Sequence, residues 1–206
     1  MHGPLERLFP NLSRRQRALI DWVLTIVGAV LIVLALKAWV VNPYRIPSGS
    51  MEPTLHCAKP ALGCEADRSD RILVNRLIYH FRDPKRKEIV VFNAPKRAAL
   101  ICQSGVYVKR IIGLPGDRWE ERNGYVYIDG KRLDEPYVRP DRRDHENVQL
   151  SDLLPNATVI PKDRYLMMGD NRSESCDSRC WGLVPRKDLI GEVFLTYWPL
   201  GRIATH

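Results

Sequence analysis

Histidine and cysteine, the usual raw material of hydrolytic and metal centres, are scarce in this chain, with five of each among 206 residues. None of the cysteines forms a CxxC pair, which argues against a structural zinc site. The histidines (His2, His56, His80, His145 and His206) stand outside any recognisable catalytic motif, so a Ser-His-Asp triad has poor support. Internal repeats and low-complexity tracts are absent. The net charge is +8, yet no basic stripe interleaved with aromatics and no zinc-finger spacing is present, which makes nucleic acid a weak partner. After Val41 no apolar run is long and periodic enough for a helix, which leaves β structure for most of the chain.

One long hydrophobic run is present. Trp22–Val41, "WVLTIVGAVLIVLALKAWVV", holds 20 residues with a single charge, Lys37. That length matches the roughly 30 Å hydrocarbon core of a bilayer at helical rise. Trp22 and Trp39 lie near its ends, where indoles favour the interface. No small-x-small cleavage site follows at "VVNPY", so an uncleaved signal anchor is expected rather than a removed leader. Arg7, Arg14, Arg15 and Arg17 crowd the preceding segment, whereas residues 42–206 carry a mixture of 27 basic and 22 acidic side chains. The expected layout is a cytoplasmic basic segment over 1–21, a transmembrane anchor over 22–41 and an extracytoplasmic domain over 42–206. All five cysteines then fall on an oxidising side. Cys57 and Cys64 would close a short loop, Cys102 has Cys176 or Cys180 as partner, and an odd count leaves a thiol over.

Beyond the anchor, "RILVNRLIY" (71–79), "EIVVFNA" (88–94), "GVYVKRIIG" (105–113), "RYLMMGD" (164–170) and "EVFLTYW" (192–198) read as strands. Asn123-Gly124 and Asp129-Gly130 frame "YVYI", which predicts a three-stranded meander. The charged stretch 139–152 reads as an exposed loop or small cap. The expected fold is mainly β: an antiparallel, barrel-like domain on one N-terminal helix, with a small cap or ribbon around 118–161.

Three stretches carry chemistry. In "YRIPSGSMEPTL" (44–55), two prolines stiffen the path and Ser50 follows Gly49 directly, as in a linker or a nucleophile turn. A serine hydroxyl needs a base, and a lysine serves if burial strips water from its ammonium. In "VYVKRIIGLPGD" (106–117), strand alternation groups Lys109 with Tyr107 and Ile111. The third stretch, "GDNRSESCDSRCWG" (169–182), reads as a loop dense in polar groups.

These stretches, in this order behind an N-terminal anchor, resemble the bacterial type I (leader) signal peptidases, a family of Ser-Lys serine peptidases. "DRILVNRLIYHFRDPKRKEIVVF" and "GLVPRKDLIGEVFLTYWPLGRI" extend the likeness from about Val41 to Arg202. The resemblance implies Ser50 as nucleophile and Lys109 as general base. It implies an oxyanion hole from the Ser48 hydroxyl and the Ser50 N–H, and Ser175 as the serine that orients the lysine amine. Asp177 with Arg179, and Asp170 with Arg110, match supporting pairs. No metal or cofactor is implied. The implied substrates are secretory preproteins, bound extended and cut after small residues of Ala-x-Ala type, with the bilayer and the secretion translocase as neighbours. Ser50 lies nine residues beyond Val41, so it reaches at most about 30 Å from the anchor's end.

The residues 56–69 depart from the family pattern as an insertion, and Cys176 interrupts Ser175 and Asp177. Self-cleaving repressors also use a Ser-Lys dyad, but they are soluble and carry a DNA-binding domain. An inactive membrane-anchored β-rich binding or assembly module is the other rival, and it would be marked by loss of Ser50 or Lys109; both are present.

Overall fold

The computed structural model describes residues 13–143, 154–155 and 157–206. The basic segment before Ser13 and the part of the charged stretch over 144–152 lie outside the described residues, as do the side chains of 35–39, including Lys37 and Trp39.

Two units divide at Val41. The first is dominated by α1, Arg14–Trp39. Its start precedes the apolar run because Ser13 and Gln16 form a reciprocal cap. The Gln16 N–H donates to Ser13 Oγ at 3.4 Å, and the Ser13 N–H donates to Gln16 Oε1 at 2.9 Å. By length and composition α1 can cross a membrane, with a window of mean hydropathy 2.2 over Arg14–Leu34. The apolar run outlasts the helix. Val41 already belongs to β1 (Val41–Arg45), since Pro43 lacks an N–H and crowds the residue before it out of helical geometry.

The second unit, Asn42–His206, is built on an antiparallel sheet. Its further strands are β2 (Arg71–Asn75), β3 (Ile89–Asn93), β4 (Val106–Gly113), β8 (Arg164–Met168), β9 (Val184–Pro185), β10 (Leu189–Trp198) and β11 (Ala204–Thr205). Their order is β1-β2-β10-β3-β4-β8-β9, with β11 on β10. The barrel expected from the sequence does not close: among the described residues β1 and β9 remain separate edges. Each edge carries a proline, Pro43 and Pro185, which cannot donate to a further ladder. Strand β2 ends at Asn75, whose side chain accepts the Leu77 N–H and turns the chain into the single-turn helix α2 (Ile78–Phe81).

A separate meander joins β5 (Trp119–Arg122), β6 (Tyr125–Ile128) and β7 (Lys131–Arg132). Its turns hold Asn123 and Gly124 at φ 51° and 76°, and Asp129 and Gly130 at 51° and 77°, the left-handed pairs that two-residue hairpins require.

Alternation along β3 divides the core. Ile89 and Val91 pack with Met51, Leu55, Ile72, Val74 and Val193, while Val90 and Phe92 pack with Ile111, Tyr165, Met167 and Trp181. A third cluster lies under the meander around Ile112, Trp119 and Leu166. From Lys109 onward β4 is buried, so Lys109 and Arg110 are both held away from solvent.

Candidate active site

The chain reaches Ser50 through a single 3-10 turn, Gly49–Met51. The turn closes with the Glu52 N–H donating to Gly49 O at 3.1 Å, and Met51 and Leu55 are buried beneath it. Gly49 has no room for a side chain: a Cβ there would lie 2.4 Å from the Gly63 carbonyl oxygen. Asn171 grips the turn from the opposite loop. Its backbone N–H donates to Ser50 O and its Nδ2 to Gly49 O, both at 3.1 Å. Two carbonyls beside the serine are thereby fixed, which fixes the peptide planes around its N–H.

Lys109 Nζ donates a hydrogen bond to Ser50 Oγ. The lysine stands in β4 opposite Val90 of β3 and is 2% exposed. Its Nζ lies 5.7 Å from the Tyr107 ring centroid, and the edge of Trp181 packs on that ring. Burial pulls the Lys109 pKa from the ordinary 10.5 down to about 8, against the opposing pull of the Asp177 and Asp170 carboxylates; the Arg179 guanidinium adds to the lowering. A substantial neutral fraction at mildly alkaline pH follows. Ser48 Oγ stands 3.5 Å from Ser50 Oγ on the exposed side of the turn.

Behind the lysine lie two buried ion pairs. Asp177 caps the single-turn helix α4 (Ser178–Trp181), one following the single-turn α3 (Ala98–Ile101) in the chain. It accepts from Arg179 Nε at 2.9 Å and Nη2 at 3.0 Å, and from the Gly169 N–H at 3.1 Å. The Arg179 guanidinium keeps the Asp177 carboxyl below its usual range despite burial. Arg110 meets Asp170 in a bidentate pair, Nε to Oδ1 at 2.9 Å and Nη2 to Oδ2 at 2.6 Å. Thr54 Oγ1 donates to Asp170 Oδ2 at 2.5 Å, which couples this pair to the segment after Ser50.

Ser175 is not joined to the lysine. Its hydroxyl is buried without a hydrogen-bond partner and packs against Gly169, where a Cβ would come within 2.2 Å of it. The disulfides are Cys57–Cys64 and Cys102–Cys176, with Cα separations of 5.0 and 6.5 Å, and Cys180 is free. Among the described residues no His, Cys, Asp and Glu side chains cluster as a metal site would require.

Glu52, Asp70, Asn171, Arg172 and Glu135 are buried polar residues that no sequence motif marks. Arg172 pairs with Glu135, and Arg202 holds Asp70 through Nε at 3.0 Å. Asn171 and Arg172 lie within the polar stretch 169–182, but nothing in their spacing separates a gripping side chain from a solvated one.

The sequence pattern of the family described as "Signal peptidase, peptidase S26" matches residues 19–198. The chain is 38% identical over 180 residues to a probable signal peptidase I-2 of Synechocystis sp., covering 87% of this chain and 73% of that one. It is 35% identical to signal peptidase I P of Bacillus subtilis subsp. natto, over 95% and 98% of the two chains. Signal peptidase IB of Staphylococcus aureus is 34% identical over 89% and 92%. A crystal structure of a signal peptidase I from Enterococcus faecalis V583 superposes with a TM-score of 0.43 at 30% identity, over 54% of this chain and 97% of that one. With a family pattern running from within the apolar helix to the last residue of β10, the chain belongs to the signal peptidases of the peptidase S26 family.

Proposed function

We propose that this enzyme removes signal peptides from exported preproteins by Ser-Lys catalysis, at sites with small residues of Ala-x-Ala type. The observation that carries the reading is the hydrogen bond between Ser50 and a lysine that is buried and depressed in pKa. Neutral Lys109 takes the Ser50 proton as Oγ attacks the scissile carbonyl carbon. The oxyanion is held by the Ser50 N–H and the Ser48 hydroxyl. Collapse expels the new N-terminal amine of the mature protein, which takes the proton back from Lys109 Nζ. Lys109 Nζ, neutral again, then deprotonates a water that attacks the acyl carbon. As the ester bond to Ser50 Oγ breaks, the lysine returns that proton to the serine and the signal peptide leaves.

Helix α1 supports a membrane anchor. The arginines before it favour a cytoplasmic N-terminus, with residues 42–206 outside beside the translocase. An oxidising compartment also suits the two disulfides.

The test is cleavage of a precursor with Ala-x-Ala before the cut, alongside the same precursor with Phe in place of the last Ala. Mature product beginning at the residue after Ala, and no product from the Phe precursor, is the expected outcome. Equal cleavage of both removes the small-residue specificity.

Two outcomes follow for the rate. The kcat/KM should rise with pH through about 8 and level off above it, because only the deprotonated lysine is a base. A profile flat from pH 6 to 9 contradicts this. The same shift affects stability. Between about 8 and 10.5 the unfolded chain binds more protons than the folded one, so the cost of burying Lys109 is full below that window and is relieved as pH rises through it. Ser48→Ala should lower kcat by about 100-fold with KM little changed, as loss of one oxyanion donor does. Steady-state kinetics on the Ala-x-Ala precursor check both.

A further inference from the structure

The stretch 56–69, which stands outside the blocks that carry the family resemblance, packs against the Ser50 turn rather than lying free on the surface. It folds back on the Ser50 turn, and one buried carboxylate in that turn ties it there. Glu52 is completely buried, two residues after Ser50. Its Oε1 accepts the N–H of Cys57 at 3.1 Å and of Glu65 at 3.3 Å, and its Oε2 pairs with His56 Nδ1. These two amides flank the Cys57–Cys64 disulfide, so the loop is closed twice, covalently and through the carboxylate. Between the closures lies Gly63, whose carbonyl group presses against Gly49 closely enough to exclude any side chain there. Glu174 backs Gly63 from outside: a Cβ on Gly63 would meet its Oε2 at 2.0 Å. Asn171 links the two sides, with Nδ2 donating to Gly49 O at 3.1 Å and to Glu174 Oε2 at 3.3 Å.

Gly49 is thus held between Gly63 on one side and Asn171 on the other. Its conformation sets where the following Ser50 N–H and Oγ point. A buried carboxylate is costly unless fully satisfied, and Glu52 spends its acceptors on this loop and on His56 rather than on the reaction.

We infer that Glu52 is a positioning residue for Ser50, acting through the disulfide-closed loop 57–64 whose Gly63 braces Gly49. The inference rests on the reading of Ser50 as nucleophile. A displacement of about 1 Å in a reacting atom can lower a rate by about 100-fold, so loss of the brace is felt in kcat while the substrate's contacts along the cleft stay in place.

The test uses full-length enzyme in detergent and an Ala-x-Ala precursor, with kcat and KM expressed per folded molecule from the thermal unfolding baseline. Glu52→Ala should lower kcat by about 10- to 100-fold with KM within about twofold. Glu52→Gln retains an oxygen acceptor for the two amides and should keep kcat within about threefold. Cys57→Ser/Cys64→Ser opens the loop from its covalent side and should lower kcat in the same manner, which serves if Glu52→Ala does not fold. Wild-type kcat per folded molecule in Glu52→Ala, or in the double serine variant, overturns the inference, whatever the melting temperature. Ser50→Ala, run in parallel, separates the two levels. If it is inactive while Glu52→Ala is fully active, only the positioning role fails; if it still cleaves, the nucleophile is wrong.

Discussion

Lys109→Met should lower kcat/KM by at least about 10⁴-fold while leaving the domain at least as stable as wild type. The size of the loss follows from the cooperative character of a nucleophile and its base, where removing either member costs nearly as much as removing both. The stability expectation follows from burial. Lys109 is 2% exposed, with the Tyr107 ring centroid 5.7 Å from its Nζ, and below about pH 8 it carries a charge that burial disfavours. Methionine fills a similar volume without that cost. Lys109→Arg should be equally inactive, because a guanidinium stays protonated and offers no lone pair. Precursor cleavage and thermal unfolding of the purified variants check both halves. Activity within tenfold of wild type in Lys109→Met would mean that another group deprotonates the serine.

Asp177→Asn carries the second large effect, this time on stability. Asp177 is fully buried and Arg179 is 1% exposed, so the substitution leaves a guanidinium with its main carboxylate partner gone. Breaking one side of a buried pair costs about 3–5 kcal/mol. For a domain of this size that is a fall in melting temperature of roughly 10 °C. Asp177 also raises the Lys109 pKa, so its neutralisation should move the alkaline rise of kcat/KM to lower pH in the molecules that remain folded. An unchanged melting temperature would show that Arg179 finds adequate compensation elsewhere. An unshifted pH profile would show that Asp177 does not act on the lysine.

What could be read from the chain beforehand follows physical lines. The two turn dipeptides at 123–124 and 129–130 announced the meander because left-handed backbone pairs have few sequence solutions. The β4 alternation grouped Lys109 with Tyr107 and Ile111 because strand periodicity is strict. The helix boundary was harder. Hydropathy located the apolar run, but the helix starts at a polar Ser13–Gln16 cap and stops before Pro43, features of local hydrogen bonding rather than of hydrophobicity. Barrel closure depends on how distant edges meet, and the prolines in β1 and β9 gave the relevant hint only once their places at opposite edges were known. The resemblance implies that Ser175 orients the lysine, whereas its hydroxyl is buried beside Gly169 without a hydrogen-bond partner, a detail of local packing that no sequence pattern carries. The partner of Cys102 stayed open between Cys176 and Cys180, since both lie in one short loop and only its path decides. Glu52 looked like any acidic residue in a proline-rich turn; its burial comes from the loop that folds over it.

Incubation of one Ala-x-Ala precursor with full-length wild type and with equally folded Ser50→Ala tests Ser50 as the nucleophile. Ser-Lys catalysis requires mature product from the wild type and intact precursor from the variant. Product from Ser50→Ala, or no product from wild type across several such precursors, would contradict it.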